Sequence, residues 1–183
     1  MKDNRKERTR HALLLAMVEC LQHDQFDQIT ASKIAQTAGI SRAGFYTHYR
    51  DKYELIEFYQ RDLFSSLEQV FDRNPHNIRQ AFFDILSFLQ EEQLLTALLG
   101  PNGTREIQSY FIHKIRLFID QEWSDYFVRQ NSNPVVKEYS SVYFAYAFFG
   151  ILRHWLERGK RESPDELTDF ILKLLPDEVQ TKN

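Results

Sequence analysis

Between Thr30 and Lys52 the chain runs T-A-S-K-I-A-Q-T-A-G-I-S-R-A-G-F-Y-T-H-Y-R-D-K, and no other stretch restricts the fold so tightly. Thr30 is an N-cap, because its hydroxyl can accept a backbone N–H of the first turn that has no helical partner. Ile34, Ala35 and Ala38 follow at helical spacing on one face. Gly39 supplies the left-handed backbone that often ends a helix, and Ser41 caps a second helix two residues later. In that helix Phe45 and Tyr49 point the same way, which leaves Arg42, Ala43, Thr47 and His48 on other faces. Helices joined by so short a turn cross steeply. The second helix is small and crowded with groups that donate, accept or stack, which suits a major groove about 12 Å wide. The plainer reading is a helical hairpin inside a core, and the scarcity of aliphatic side chains counts against it.

This stretch resembles the DNA-binding domain of the TetR family, the tetracycline-repressor-like transcription regulators. The matching residues are Thr30, Ile34-Ala35, Ala38 to Ser41, Gly44 to Tyr49, Asp51-Lys52 and Leu55. The likeness extends back through Leu13, Ala16, Met17, Cys20, Leu21 and Phe26. Members of the family usually carry glycine just before the aromatic at Phe26, where this chain has Gln25. The resemblance implies an all-α fold. It places a three-helix, homeodomain-like helix-turn-helix domain over residues 1–52, a linking helix over 51–73, and a helical regulatory and dimerisation domain over 74–183.

The same resemblance implies the DNA contacts. Arg42 and Ala43 are set to touch base edges, Arg42 by bonding guanine O6 and N7, worth about 1–3 kcal/mol of discrimination. Gly44 gives room for close approach. Tyr46, Thr47 and His48 match positions that meet phosphate or base, Lys52 matches a phosphate contact, and Ser32 and Lys33 approach the backbone. For Phe45 and Tyr49 core packing is expected. For His48 the competing reading is a solvated surface histidine.

Charge agrees with a two-part chain. The net charge of −3 conceals nine Lys/Arg against six Asp/Glu in residues 1–53, with acids in excess over the remainder. A basic head on an acidic body fits a DNA-binding part joined to one that does not bind DNA. The basic residues Lys2 to Arg10 either track phosphates or form a tail. Hydrophobic content is 43%, with six glycines and five prolines. No run approaches the roughly 20 apolar residues of a membrane span, and the charged first residues do not form a signal peptide. One cysteine, Cys20, excludes an internal disulfide and fits a reducing cytoplasm.

Along the rest of the chain the spacing predicts a first helix from about Lys6 to His23 and a linking helix opened by Asp51 and Glu54 and running to about Arg73. Asn74-Pro75 starts another helix to about Gln90, and a short one spans Glu92 to Leu99. A loop at Gly100–Gly103 precedes a long helix from Thr104 to about Arg129, broken by Asn131-Ser132-Asn133-Pro134. Two terminal helices follow. The first, about 135–157, is apolar nearly all round; the second, about 164–175, starts at Ser163-Pro164-Asp165-Glu166 and stops at Pro176. In the family the corresponding pair makes an isologous four-helix dimer interface. The run Gly150 to Gly159 with Ser163-Pro164 also resembles a Firmicutes-type branch that includes the regulator of dihydroxyacetone kinase operons.

The aromatic-rich body is either plain core or, as the resemblance implies, a wall around a small-molecule site. Tyr110, Lys114, Tyr143 and His154 are the groups picked to orient an apolar effector. No phosphate loop, metalloprotease motif, cysteine cluster or nucleophile elbow occurs, and the six histidines lack metal-ligand pairing. The expectation is therefore a non-enzyme without cofactor or metal. It is a homodimeric DNA-binding regulator, a repressor of a near-palindromic operator that answers to a small molecule. The alternative is a co-activator or adaptor acting through protein contact.

Overall fold

The computed structural model describes residues 2–72, 77–129 and 133–180, and among them every regular element is helical. The Asn74-Pro75 start signal and the Asn131-Ser132 break lie outside the described residues. The elements are α1 (Lys2–Leu21), a 3₁₀ turn (Phe26–Gln28), α2 (Ala31–Thr37), α3 (Arg42–Tyr46), α4 (Lys52–Asp72), α5 (Ile78–Glu91) and α6 (Gln93–Leu99). There follow α7 (Arg105–Glu122), α8 (Ser124–Arg129), α9 (Pro134–Glu157), α10 (Pro164–Lys173) and α11 (Asp177–Gln180). They form two units: Met1–Ser66 with Glu92–Thr104, and Leu67–Glu91 with Arg105–Asn183. Among the described residues no helix is long and apolar enough to cross a membrane.

In the first unit, Leu13, Ala16, Met17 and Cys20 of α1 are buried, and α1 packs on α2 and α6. Cys20 has its sulfur 3.7 Å from Thr37 Oγ1, and burial pushes its thiol above the ordinary value. Gln25 stands at φ −64° and ψ 144°, an extended backbone open to any residue, so the glycine usual in the family is not needed there.

The segment Glu92–Thr104, expected with the regulatory domain, belongs to this first unit. Asn102 holds it there: its Nδ2 donates to Leu21 O at 2.9 Å, and its carbonyl accepts from Phe26 N at 2.8 Å. Gly103 lies so close to α6 that a Cβ would fall 1.8 Å from Leu98 O. Tyr59 donates to Glu92 Oε2 at 3.0 Å and accepts from Leu95 N at 3.1 Å. Burial first, then the Glu92 charge, holds its phenol well above the ordinary value.

The second unit packs α7 on α9 and α5 on α10. Its interior is an aromatic lattice: Phe82 meets Phe148 at 4.8 Å and Phe118 at 6.4 Å, and Trp123 meets Phe144 at 4.7 Å and Phe148 at 6.2 Å, mostly edge to face. The long helix expected from Thr104 to Arg129 is interrupted at Trp123. Trp123 N still donates to Ile119 O and Phe127 N to Trp123 O. These two helical bonds span the interruption, and the indole is buried.

Asn133 caps α9 by accepting from Val136 N at 2.9 Å. Ser163 and Glu166 form the reciprocal capping box that opens α10. Between these helices Gly159 and Lys160 have φ of 74° and 57°, and Lys160 Nζ donates to Leu89 O and Gln90 O at 2.8 and 3.1 Å. Arg79 of α5 bridges Asp165 and Asp169 of α10 at 2.7 and 3.0 Å. The α10 helix ends at Lys173, earlier than expected, and α11 is an additional turn after Pro176.

Candidate nucleic-acid interface

The helix pair forms as its cap residues dictate. Thr30 Oγ1 accepts from Lys33 N at 3.2 Å and Ser41 Oγ from Gly44 N at 3.0 Å, and Gly39 adopts φ 68° between them. Ile34, Ala35, Phe45 and Tyr49 are buried beneath the pair, whereas Ala38 is only partly covered, at the end of α2. The regular part of α3 is only five residues long. Tyr49, expected on the same helix, lies beyond its end but keeps its N–H on Phe45 O at 3.0 Å. So small a helix is held by its cap and by the Phe45–Tyr49 contact, with ring centroids 6.0 Å apart.

Most of the residues expected to contact DNA are exposed. Ser32, Lys33, Arg42, Ala43, Tyr46 and Thr47 are exposed, and Gly44 and His48 are partly covered. The Arg42 guanidinium lies 5.7 Å from the centre of the Tyr46 ring, so the aromatic face steadies the cation on the outer side of α3. Thr47 Oγ1 donates to Gly44 O at 2.7 Å. A Cβ at Gly44 would come within 3.2 Å of Ser41 Oγ, so this glycine protects the cap as well as leaving room outside. Lys33 forms an ion pair with Asp24, whose hydrogen bond holds the ammonium above its ordinary pKa.

Lys52 is corrected. It does not offer its ammonium to a phosphate: Nζ donates to Phe26 O at 2.6 Å and Asp27 O at 2.9 Å and lies over the Phe26 and Tyr53 rings. The residue is 8% exposed, and burial lowers its pKa, with Asp27 opposing. Its task is to tie the first turn of α4 to the 3₁₀ turn. Asp51 accepts from Glu54 N at 2.8 Å, while the Glu54 carboxylate accepts from Arg50 N; α4 is thus capped reciprocally, one residue earlier than the usual box.

Sequence reasoning gave no role to one further feature. α1 and α3 leave an open cleft of about 540 Å³ between them, lined by Lys6 and Thr9 on one side and by Ser41, Gly44, Thr47 and His48 on the other. His48 Nδ1 is buried without a hydrogen-bond partner. Burial first, then Arg10 and Lys6, lowers the pKa of this ring.

The four residues picked for an effector are not brought together, which corrects that expectation. Tyr143, 68% exposed, and His154 lie on the outside of α9. Lys114 pairs with Glu68 at 2.7 Å and lies 5.5 Å from the Tyr110 ring. One cavity in the second unit holds about 30 Å³, and apolar residues line it, among them Phe82, Phe111, Phe118, Phe148 and Ile171. None of the four lines it. A void of that size is about one water molecule, and apolar walls leave it dry. Helical spacing put polar residues among the aromatics but did not say which face each would occupy.

Comparison with known proteins bears on both units. Residues 13–58 match the family model described as bacterial regulatory proteins, tetR family, and residues 76–177 match the one described as transcriptional regulator C-terminal region. An uncharacterized HTH-type transcriptional regulator, YxbF of Bacillus subtilis, is 25% identical over 171 residues, covering 87% of this chain and 43% of that protein. The nucleoid occlusion factor SlmA of Vibrio cholerae is 31% identical over 111 residues, covering 56% of this chain and 57% of its own length. The chain thus spans about half the length of these two relatives. The fold is similar to that of the dihydroxyacetone kinase operon activator DhaS, with a TM-score of 0.58 at 21% identity, over 96% of this chain and 98% of that one.

Proposed function

The chain belongs to the TetR family of bacterial regulatory proteins, DNA-binding regulators of transcription, and from that premise we propose that it represses from an operator as a homodimer. The observation that carries this reading is the division of α3. Phe45 and Tyr49 are sealed beneath it, and Arg42, Ala43 and Tyr46 stand outside with no core to fill. Arg42 and Ala43 read base edges. Tyr46, Thr47 and His48 meet phosphate or base, Ser32 and Lys33 approach the backbone, and Gly44 keeps the approach close. Lys33 exchanges Asp24 for phosphate when DNA arrives.

The dimer face is the outer side of the last two helices. Tyr139, Tyr143 and Tyr146 recur at helical spacing along α9, and Phe170 and Leu174 stand out from α10, all at least half exposed in the single chain. So many exposed apolar side chains on the last two helices call for a partner, and a twofold mate presents the same surface in return. Two heads then meet half-sites about one helical turn, ~34–36 Å, apart or a small multiple of it. The setting is the cytoplasm, which keeps the lone thiol reduced.

The effector that releases the operator is a small apolar molecule admitted among the aromatics of the second unit, and it acts by favouring a different separation of the heads. The small volume of the apolar cavity at Phe82, Phe111 and Phe148 favours a second reading, input by protein contact. Titration of the full chain with an apolar probe such as a fatty acid separates the two, since only the first predicts saturable binding that lowers DNA affinity.

Selection of duplexes from a randomised library by the full chain tests the main reading. The expected product is a near-palindrome bound with steep salt dependence, whose consensus relaxes at one base pair when Arg42 becomes Ala. Failure to enrich any sequence, or binding indifferent to salt, overturns it. Sedimentation of Tyr143→Glu checks the interface: the variant should run as a monomer and lose most of its operator affinity.

A further inference from the structure

Six glycines occur in the chain, and five of them have a reason inside it. Gly39 and Gly159 take positive φ, and at Gly44, Gly100 and Gly103 a Cβ would press on Ser41 Oγ, Ala97 O or Leu98 O. Gly150 has neither reason. It stands exposed within the 24-residue α9, in helical backbone, and a Cβ built on it meets nothing within 4 Å. Glycine is the poorest helix former after proline, so it weakens α9 with no contact in the single chain to offset the loss. Bare backbone in mid-helix suits the close approach of another helix, because the side chains at a crossing set the distance between axes, ordinarily about 8–10 Å.

The exposed line of α9 that runs through Gly150 is divided chemically. Tyr139, Tyr143 and Tyr146 precede it, and Arg153, His154 and Glu157 follow, all exposed. Arg153 Nε pairs with Glu157 Oε1 at 3.0 Å, so the charged half already holds its groups in place. Counted from Gly150, Tyr146 and His154 lie one turn out on either side, and Tyr143 and Glu157 two turns out. A twofold axis across the helix at Gly150 therefore lays the aromatic half of one copy on the charged half of the other. The Tyr143 hydroxyl then donates to a carboxylate, and the Arg153 guanidinium comes against tyrosine rings, whose faces attract cations. Parallel α9 helices would instead set Arg153 on Arg153 and Glu157 on Glu157.

We infer that two copies of α9 cross antiparallel at Gly150, backbone close to backbone, with Tyr143 of each copy against Glu157 of the other and Tyr146 against His154. The inference rests on the homodimer proposed above and adds what that reading leaves open, the register and direction of the contact. Gly150 sets the distance. The two unlike halves set the direction.

Sedimentation of the full chain over a dilution series reads the dimer dissociation constant. Gly150→Ala should raise it about tenfold and Gly150→Leu about a hundredfold or more, although both substitutions favour the helix itself. Circular dichroism should show no loss of helix in either. Tyr143→Glu sets two carboxylates together and should weaken the dimer about a hundredfold or more. Glu157→Lys removes the acceptor and should weaken it about tenfold. The chain carrying both changes should recover most of the loss, because opposite charges now meet across the axis. Within one chain the two positions are roughly 21 Å apart at about 1.5 Å per residue, so recovery cannot arise inside a subunit. Both side chains are exposed, and the double variant serves as the control for folding. A dimer indifferent to Gly150→Leu, single charge variants that lose nothing, or a double variant that recovers nothing overturns the crossing and leaves the dimer standing. A wild type that stays monomeric at every concentration brings down both readings.

Discussion

Each unit is held together internally by its own means. The first is fastened by single polar latches at named atoms: Lys52 on two carbonyls, Asn102 on Leu21 and Phe26, Tyr59 on Glu92 and Leu95, Ser41 on Gly44. The second is filled by interlocking rings, Phe82, Phe118, Trp123, Phe144 and Phe148, with no single atom setting their direction. Hydrogen bonds fix direction to a fraction of an ångström, whereas ring packing fixes volume and tolerates sliding. The base-reading surface proposed for α3 would need the former, and the guest or partner proposed for the second unit would be better served by the latter.

The largest break in this contrast should come from Trp123→Ala. Its indole is fully buried, and truncation of a core aromatic costs about 3–5 kcal/mol. Chemical denaturation followed by a probe in each unit should show the loss in the second unit, with the first less affected; equal loss in both would mean that they melt as one. A smaller effect sharpens the contrast, because each unit carries one lysine pinned on two carbonyls. Lys52→Met leaves Phe26 O with only its bond from Ile29 N and takes the Lys52 donor from Asp27 O, and should cost about 1–3 kcal/mol. Lys160→Met removes the ammonium that donates to Leu89 O and Gln90 O at the end of α5, where part of the site is open to water, and should cost less than the other by thermal melting. The smallest effects come from the caps. Ser41→Ala and Ser163→Ala should each cost about 1 kcal/mol, yet only Ser41→Ala should also weaken DNA binding, since α3 has little else to hold it. Equal DNA affinity in the two variants would show that latch precision in the head is unimportant.

What the sequence disclosed was what depends on neighbours in the chain. Thr30, Ser41 and Ser163 announce their caps because each partner N–H lies three residues on, and Gly39 announces its turn through its own φ. The inward turn of Lys52 was hidden, since its acceptors come from residues 26 and 27 and a cation at a helix start is equally suited to phosphate. Asn102 was hidden for the same reason: the carbonyl it reaches lies 81 residues back. The apolar face of α9 was legible. That Tyr143 and His154 stand on its outside was not, because a helix apolar nearly all round gives spacing no preferred side. The cleft at His48 needed Lys6 and Thr9 brought across from another helix, which no spacing rule encodes.

Cys20, closed in between α1 and α2 with its thiol pushed up in pKa, is nearly inert toward alkylating reagents while the first unit stays shut. Because it is the only cysteine in the chain, its modification rate serves as a clock for opening of that unit. DNA that clamps the helix pair should slow the clock, and a guest taken up elsewhere should change it only if that guest loosens the head.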